Sequence, residues 1–245
     1  MQLISIIMPY YRKINSVNRT IKSVIKQTYK KFELIIVYDD ETAEDYHKIK
    51  KFIANNKKIR IIKNRKNIGA GHSRNIGIKN SNGSIVTFID SDDTWHPQKL
   101  KKQLNFLNKN NYNFIFCGYK KIFKKKSIEV NIDSEYLSYK DLLKSCEIGL
   151  STVMIKKKII DNNLFTNLKT QEDFAAWLKI TKKHNAFFLN EVLVNWYDTE
   201  NSLSSNFFQK LFDAYKVFYL NQKFSLVKSF YYLMILSANS IKRKF

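Results

Sequence analysis

Residues 84–100 read SIVTFIDSDDTWHPQKL. Positions 85–89 are apolar except for Thr87 and are too short for a helix. They predict a strand. The run ends abruptly at Asp90-Ser91-Asp92-Asp93, and Pro97 follows where the first position of a helix belongs, ahead of Leu100, Leu104 and Leu107 on one face. The same order recurs outward from this stretch. Residues 3–8 are an apolar strand closed by Pro9, and Asn15 or Ser16 can cap a helix carrying Val17, Ile21, Val24 and Ile25. A strand at 34–37 precedes a polar helix over 44–55, one at 59–62 precedes a short helix over 71–79, and a fifth strand lies at 114–117. This alternation predicts an α/β fold, an open and mostly parallel sheet flanked by helices through right-handed crossovers. Ligands of such sheets bind outside the carboxyl ends of the strands.

The chain has 245 residues, 44% hydrophobic and 14% aromatic, enough for a packed core and incompatible with a disordered chain. Two cysteines, Cys117 and Cys146, cannot build a disulfide framework or a four-ligand zinc site, and fit a reducing compartment. No secretory signal is legible at the amino terminus, and no apolar run reaches the length of a membrane span. The expected location is therefore cytoplasmic. A net charge of +22 invites a nucleic-acid reading. Its lysines are spread along the whole chain, with no helix-turn-helix, zinc or RNP signature, so nucleic acid is not the expected partner. An anionic membrane surface or a diphosphate substrate accounts for the charge equally well.

Polar residues gather at the predicted strand ends: Tyr38-Asp39-Asp40-Glu41 after the second strand, Asp90-Ser91-Asp92-Asp93 after the fourth. In extended backbone Asp90 and Asp92 leave the same face. One-sided hard oxygen donors suit a Mg²⁺ or Mn²⁺ ion shared with substrate phosphates. An acidic turn leading into a helix is the plainer reading of the same residues.

Four segments in order, LISIIMPYYRK at 3–13, QTYKKFELIIVYDDET at 27–42, NIGAGHSRNIGIKNSNGSIVTFIDSDDTWHPQKL at 67–100 and STVMIKKKIIDNNLF with QEDFAAWLKI between 151 and 180, together resemble the GT-A glycosyltransferases of family 2. The resemblance covers about residues 3–205. It implies a metal-dependent, inverting transfer of a hexosyl or N-acetylhexosaminyl group from a nucleotide-sugar, a UDP-sugar above all. The acceptor implied is a hydroxyl of a growing surface glycan, such as a capsule, a lipooligosaccharide or another polysaccharide, or a lipid-linked glycan.

By the same resemblance Pro9, Tyr10 and Tyr11 lie beside the nucleotide, and Asp39 with Asp40 forms the acidic pair facing the base. Arg74 and Asn75 match the segment against the nucleotide, and Ser91 sits within the donor site. Asp92, Asp90 and Asp93 match the metal motif, with Asp92 the foremost ligand. Glu172 and Asp173 match the acidic pair that supplies the general base, and Asp173 is the favoured member. One departure concerns the segment after Tyr197, where the family often has an Arg and a His. This chain has Asp198-Thr199-Glu200-Asn201. Either Asp198 or Glu200 takes their place, or the cation is held more weakly. The four histidines show no ligand spacing, although His72 is in the nucleotide-side segment. A non-catalytic nucleotide-sugar-binding module of the same fold is the alternative function.

The division expected is a catalytic domain over 1–205 and a helical extension over 206–245. Aromatic helices at 207–224 and 226–241 carry Lys210, Lys216, Lys223 and Lys228, with Lys242-Arg243-Lys244 behind them. They suit a peripheral contact with the inner face of the cytoplasmic membrane. They suit equally a helical pair packed on the catalytic domain or a homodimer contact.

Overall fold

The computed structural model describes residues 1–123, 126–198 and 207–242. Its first half follows the predicted alternation, with one short strand, β5, that was not expected: β1 (Ile4–Tyr10), α1 (Ile14–Ile25), β2 (Phe32–Tyr38), α2 (Glu44–Ile53), β3 (Ile59–Lys63), α3 (Ala70–Lys79), β4 (Ile85–Phe88), β5 (Thr94–Trp95), α4 (Lys99–Lys109) and β6 (Phe114–Phe123). The second half is less regular. β7 (Lys126–Val130), β8 (Tyr136–Leu137), α5 (Tyr139–Leu142), β9 (Met154–Lys156), α6 (Glu172–Thr181) and β10 (Ala186–Tyr197) lead to α7 (Phe207–Lys216), a π-turn (Val217–Asn221) and α8 (Leu226–Lys242).

The sheet order is β3-β2-β1-β4-β9-β6-β10-β5, with β7 on β6 and β8 on β10. β3, β2, β1 and β4 are mutually parallel, and Tyr10 pairs with Tyr38 at the end of the β1–β2 ladder. β6 does not join β4 directly. The three-residue β9 lies between them, antiparallel to both. The chain reverses its order of addition at β1 and β4. In open sheets of this kind the ligand crevice lies at such a reversal, outside the carboxyl ends of the two strands.

Alternate residues of β1 feed two cores. Ile6, Met8 and Tyr10 join Val17, Ile21 and Val24 of α1, Ile49 and Ile53 of α2, and Leu100, Leu104 and Leu107 of α4. Ile7 turns the other way, to Ile78 of α3 and to Phe174 and Trp177 of α6. α3 lies against the sheet so closely that a Cβ at Gly77 would run into the Ile7 side chain.

Several local expectations are corrected. α1 begins after Lys13 without a side-chain cap, because Ser16 directs its hydroxyl to the carbonyls of Lys13 and Ser91 instead of capping. Ile25 is 38% exposed at the helix end. Pro97 precedes the helix by two residues. Its carbonyl accepts from the Thr28 amide, and α4 starts at Lys99. Residues 90–93 are a tight turn with the Asp93 amide on the Asp90 carbonyl, not extended backbone.

Residues 207–242 do not stand off from the rest. Ala214, Val217, Phe218 and Leu236 are part of the core that holds α6. Arg243 and Lys244 lie outside the described residues, as does the side chain of Lys242. Among the described residues no helix is long and apolar enough to cross a membrane.

Gly77→Val should force α3 off β1 and lower stability by about 1–3 kcal/mol, the usual cost of overpacking. Urea unfolding followed by Trp fluorescence checks it.

Candidate active site

The site is built on the turn at residues 90–93, beyond the end of β4. α1 holds it from one side of the sheet. Ser16 donates to the Ser91 carbonyl, Arg19 to that of Asp92 and Thr20 to that of Asp93, at 3.0, 3.0 and 2.7 Å. Ser151 closes it from below, donating its hydroxyl to Asp93 Oδ2 (2.5 Å) and accepting from the Asp90 amide (3.1 Å). The Ser151 carbonyl in turn accepts from Trp95 Nε1, and the buried Lys99 ammonium lies 4.0 Å from the Trp95 ring centroid. Burial pulls the Lys99 pKa down to about 8.

The three carboxylates of the turn differ in accessibility. Asp93 is 1% exposed, and burial first, then Asp90 and Asp92, pushes its carboxyl well above the ordinary range. The side chains of Asp90 and Asp92 are 34% and 19% exposed, and Asp92 pairs with Lys13 at 3.1 Å. Ser91 is buried and contributes its carbonyl to the Ser16 contact.

On the other side of the sheet Arg74, from α3, is 5% exposed and spans two elements. Its Nη2 meets Asp90 Oδ1 at 2.9 Å and its Nη1 meets Glu172 Oε1 at 2.6 Å. The Phe165 ring lies 5.4 Å from the guanidinium. Glu172 and Asp173 form the first turn of α6, reached through Gln171 in the left-handed region (φ 64°). Close approach is required here too, since a Cβ at Gly71 would meet the Thr166 carbonyl. Asp173 Oδ1 accepts from the Phe174 amide (2.7 Å). Burial, reinforced by neighbouring Glu172, pushes its pKa up to about 7, against the opposing pull of Arg74.

The remaining expected residues lie around the crevice. Pro9 and Tyr10 are buried at the end of β1. Tyr10 stacks on Tyr38 with ring centroids 5.1 Å apart and donates to Asp45. Tyr11 is 42% exposed just beyond the strand. Asp39 is fully engaged: Oδ1 accepts from Asn64 Nδ2 and the Ile68 amide, and Oδ2 from the Gly69 amide, all at 2.8–2.9 Å. Gly69 needs its φ of 88° to deliver that amide. Asp40 accepts from the Thr42 amide and pairs with Arg12. Asn75 points away from the acidic turn and clasps both the amide and carbonyl of Phe165 (2.9 and 2.8 Å). His72 and Asp198 are exposed, and Glu200 lies outside the described residues.

The structure thus brings Arg74, Asp90, Asp92, Glu172 and Asp173 to one locus. Asp39 and Asp40 brace the loops at the neighbouring β2 end. Sequence reasoning gave no role to Lys13, Arg19 or Ser151. Ser151 opens one of the four recognised segments, which was its only signal. Arg19, stacked 3.6 Å from the Tyr197 ring centroid, had none.

Among the described residues no three His, Cys, Asp or Glu side chains converge as a complete metal cage. The partly exposed carboxylates of Asp90 and Asp92 still fit a hard divalent cation of the kind that takes one or two protein carboxylates and completes its shell with phosphate and water.

Comparison with known proteins shows the family and the fold. The sequence profile described as Glycosyl transferase family 2 matches residues 5–180. The UDP-Glc:alpha-D-GlcNAc-diphosphoundecaprenol beta-1,3-glucosyltransferase WfgD of Escherichia coli is 32% identical over 85% of this chain and 82% of its own. The putative teichuronic acid biosynthesis glycosyltransferase TuaG of Bacillus subtilis is 30% identical over 99% of this chain and 97% of its own. In fold the chain is similar to S. aureus TarS in complex with UDP-GlcNAc, with TM-score 0.77 and 20% identity, covering 95% of this chain and 70% of that one. It is also similar to the mannosyltransferase PcManGT of Pyrobaculum calidifontis in complex with GDP-Man and Mn²⁺, with TM-score 0.70 and 13% identity over 94% and 69%.

Arg74→Met should leave two carboxylates without their shared cation and lower stability by about 3 kcal/mol. Arg74→Lys should recover only part of this, since an ammonium cannot reproduce the planar fork that reaches both partners. Denaturant midpoints of the two variants measure the difference.

Proposed function

The chain belongs to glycosyl transferase family 2, and we propose that this glycosyltransferase moves a sugar, with inversion, from a UDP-sugar to a hydroxyl of a polysaccharide or lipid-linked glycan. The observation that carries the reading is the Arg74 bridge, which holds the acidic turn and the Asp173 helix start on either side of one guanidinium. An inverting transfer needs this division: a place for the departing diphosphate, and opposite it a carboxylate for the acceptor proton.

Asp173 takes the proton of the attacking hydroxyl. Glu172 is spent on Arg74, whereas Asp173 has a pKa near neutrality, where a general base works best. Arg74 fixes the distance between base and turn. Asp90 and Asp92 would hold Mg²⁺ or Mn²⁺, with Asp93 bracing the turn through Ser151. A cation there supplies charge stabilisation to the leaving diphosphate.

Support for a uridine donor comes from the names of WfgD and of the TarS complex, and for a cation from the Mn²⁺ complex of the mannosyltransferase. WfgD's named acceptor, a diphosphoundecaprenol-linked sugar, favours a lipid-linked acceptor at the inner face of the cytoplasmic membrane.

Release of UDP from UDP-sugars with membrane-extracted acceptor tests transfer, and binding without release would identify a non-catalytic module. Asp173→Asn should cut turnover by about 10²–10⁴-fold with donor affinity unchanged. The base must be unprotonated, so wild-type turnover should climb as pH rises through about 7, and this limb should be absent in Asp173→Asn. A pH profile of initial rates reads both.

Asp92→Ala should abolish Mn²⁺-dependent UDP binding while the thermal transition stays within a few degrees, because the side chain sits at a strand end outside the core. Calorimetric titration of UDP with and without Mn²⁺ decides this.

A further inference from the structure

α8 is apolar on two opposite sides. Leu236 is buried, and Tyr232 and Leu233 pack on the core beneath it. On the outside Val227, Phe230, Tyr231 and Met234, spaced i, i+3, i+4 and i+7, are 82%, 60%, 60% and 56% exposed. α7 beside it exposes Phe212 (57%), with the Lys216 ammonium 4.2 Å from that ring centroid. Lys223, just before α8, and Lys228, in its first turn, are exposed. Scattered apolar residues on a surface mean little, but a continuous stripe calls for an occupant.

Charge selects the occupant. Residues 207–245 hold seven Lys and Arg and one acid, Asp213. That acid is 1% exposed, accepting from the Thr170 amide and hydroxyl at 3.0 Å each. A second copy docking through this face would set like charge against like, within a chain already at +22. A cationic rim around aromatic and aliphatic side chains complements an anionic, amphiphilic surface.

The same Asp213 contact fixes the face in relation to the site. Thr170 stands two residues before Glu172, and Phe218 packs edge-on against Phe174 with ring centroids 5.8 Å apart. We propose that Val227, Phe230, Tyr231 and Met234 insert into the headgroup boundary of an anionic phospholipid bilayer. Lys223 and Lys228 lie at phosphate level there. The Asp213–Thr170 and Phe218–Phe174 contacts join this platform to the helix start that bears Asp173. Docking stands on the face and its charge, and its use in presenting a lipid-linked acceptor rests on the proposed function.

The test is sedimentation of the full chain with vesicles of phosphatidylcholine and phosphatidylglycerol, against phosphatidylcholine alone. The wild type should bind the anionic vesicles, more weakly as salt rises, and leave the neutral ones. Phe230→Ser/Tyr231→Ser should weaken binding at least about tenfold. Lys223→Glu and Lys228→Glu should each weaken it about fivefold or more. Both sets lie on the exposed face, so thermal transitions and lipid-free UDP-sugar hydrolysis should match the wild type. No binding by the wild type, equal binding by the variants, or a wild-type dimer that the variants dissociate would overturn the proposal. Absence of hydrolysis in every protein, with vesicle binding intact, would count against the transfer reaction and leave the docking face standing.

Discussion

The position of one buried guanidinium constrains most of what surrounds it. Arg74 belongs to a helix on one face of the sheet, yet reaches a carboxylate at a strand end and another at the start of a distant helix. A charge this enclosed is costly to bury without partners, and two carboxylates offset the cost. The geometry leaves little room. Gly77 lets α3 settle onto β1, Gly71 lets its first turn pass the Thr166 carbonyl, and Asn75 clasps the Phe165 backbone so that the ring lies beside Arg74. A larger residue at either glycine would move the guanidinium relative to both carboxylates.

The acidic turn is braced independently from the opposite face. Three side chains of α1 take three successive carbonyls of the turn, and Ser151 takes an amide and a carboxylate. With its backbone already paired, the turn has little freedom left to reorganise when a charged substrate arrives, which is the condition for strong electrostatic assistance. The ordering cost has been met in folding.

What the sequence made legible was the part governed by local rules. Mainly apolar runs marked β1, β2 and β4 because those strands are covered on both faces, and the polar residues after them marked the crevice. The acidic pair at 172–173 was legible through its segment. Features set by distant partners were not. β9 is three residues long and owes its existence to two strands far away in sequence. At residues 90–93 the composition offered a turn as well as a strand end, and the partners that hold the turn, α1 and Ser151, had no local signal. Asn75 lies in a segment that resembles the nucleotide contact, and its clasp on the distant Phe165 backbone had no local signal. The aromatic terminal helices offered packing or an outward surface as alternatives, and Leu236 and Met234 of one helix take opposite sides.

The insertion of β9 between β4 and β6 also orders events during synthesis. β1 to β4 can assemble into a parallel half-sheet soon after they leave the ribosome, but the outer edge of β4 gains its neighbour only when residues 154–156 emerge. At about 5–20 residues per second that edge stays bare for several seconds. Pairings so far apart in sequence form slowly even once both strands are present. The nascent chain therefore passes through a stage with an open apolar strand edge, in which chaperone capture or pairing with a neighbouring nascent chain competes with closure. Variants that shorten or weaken β9 would be lost at this stage, as reduced yield of folded protein, before any effect on the finished enzyme could be observed.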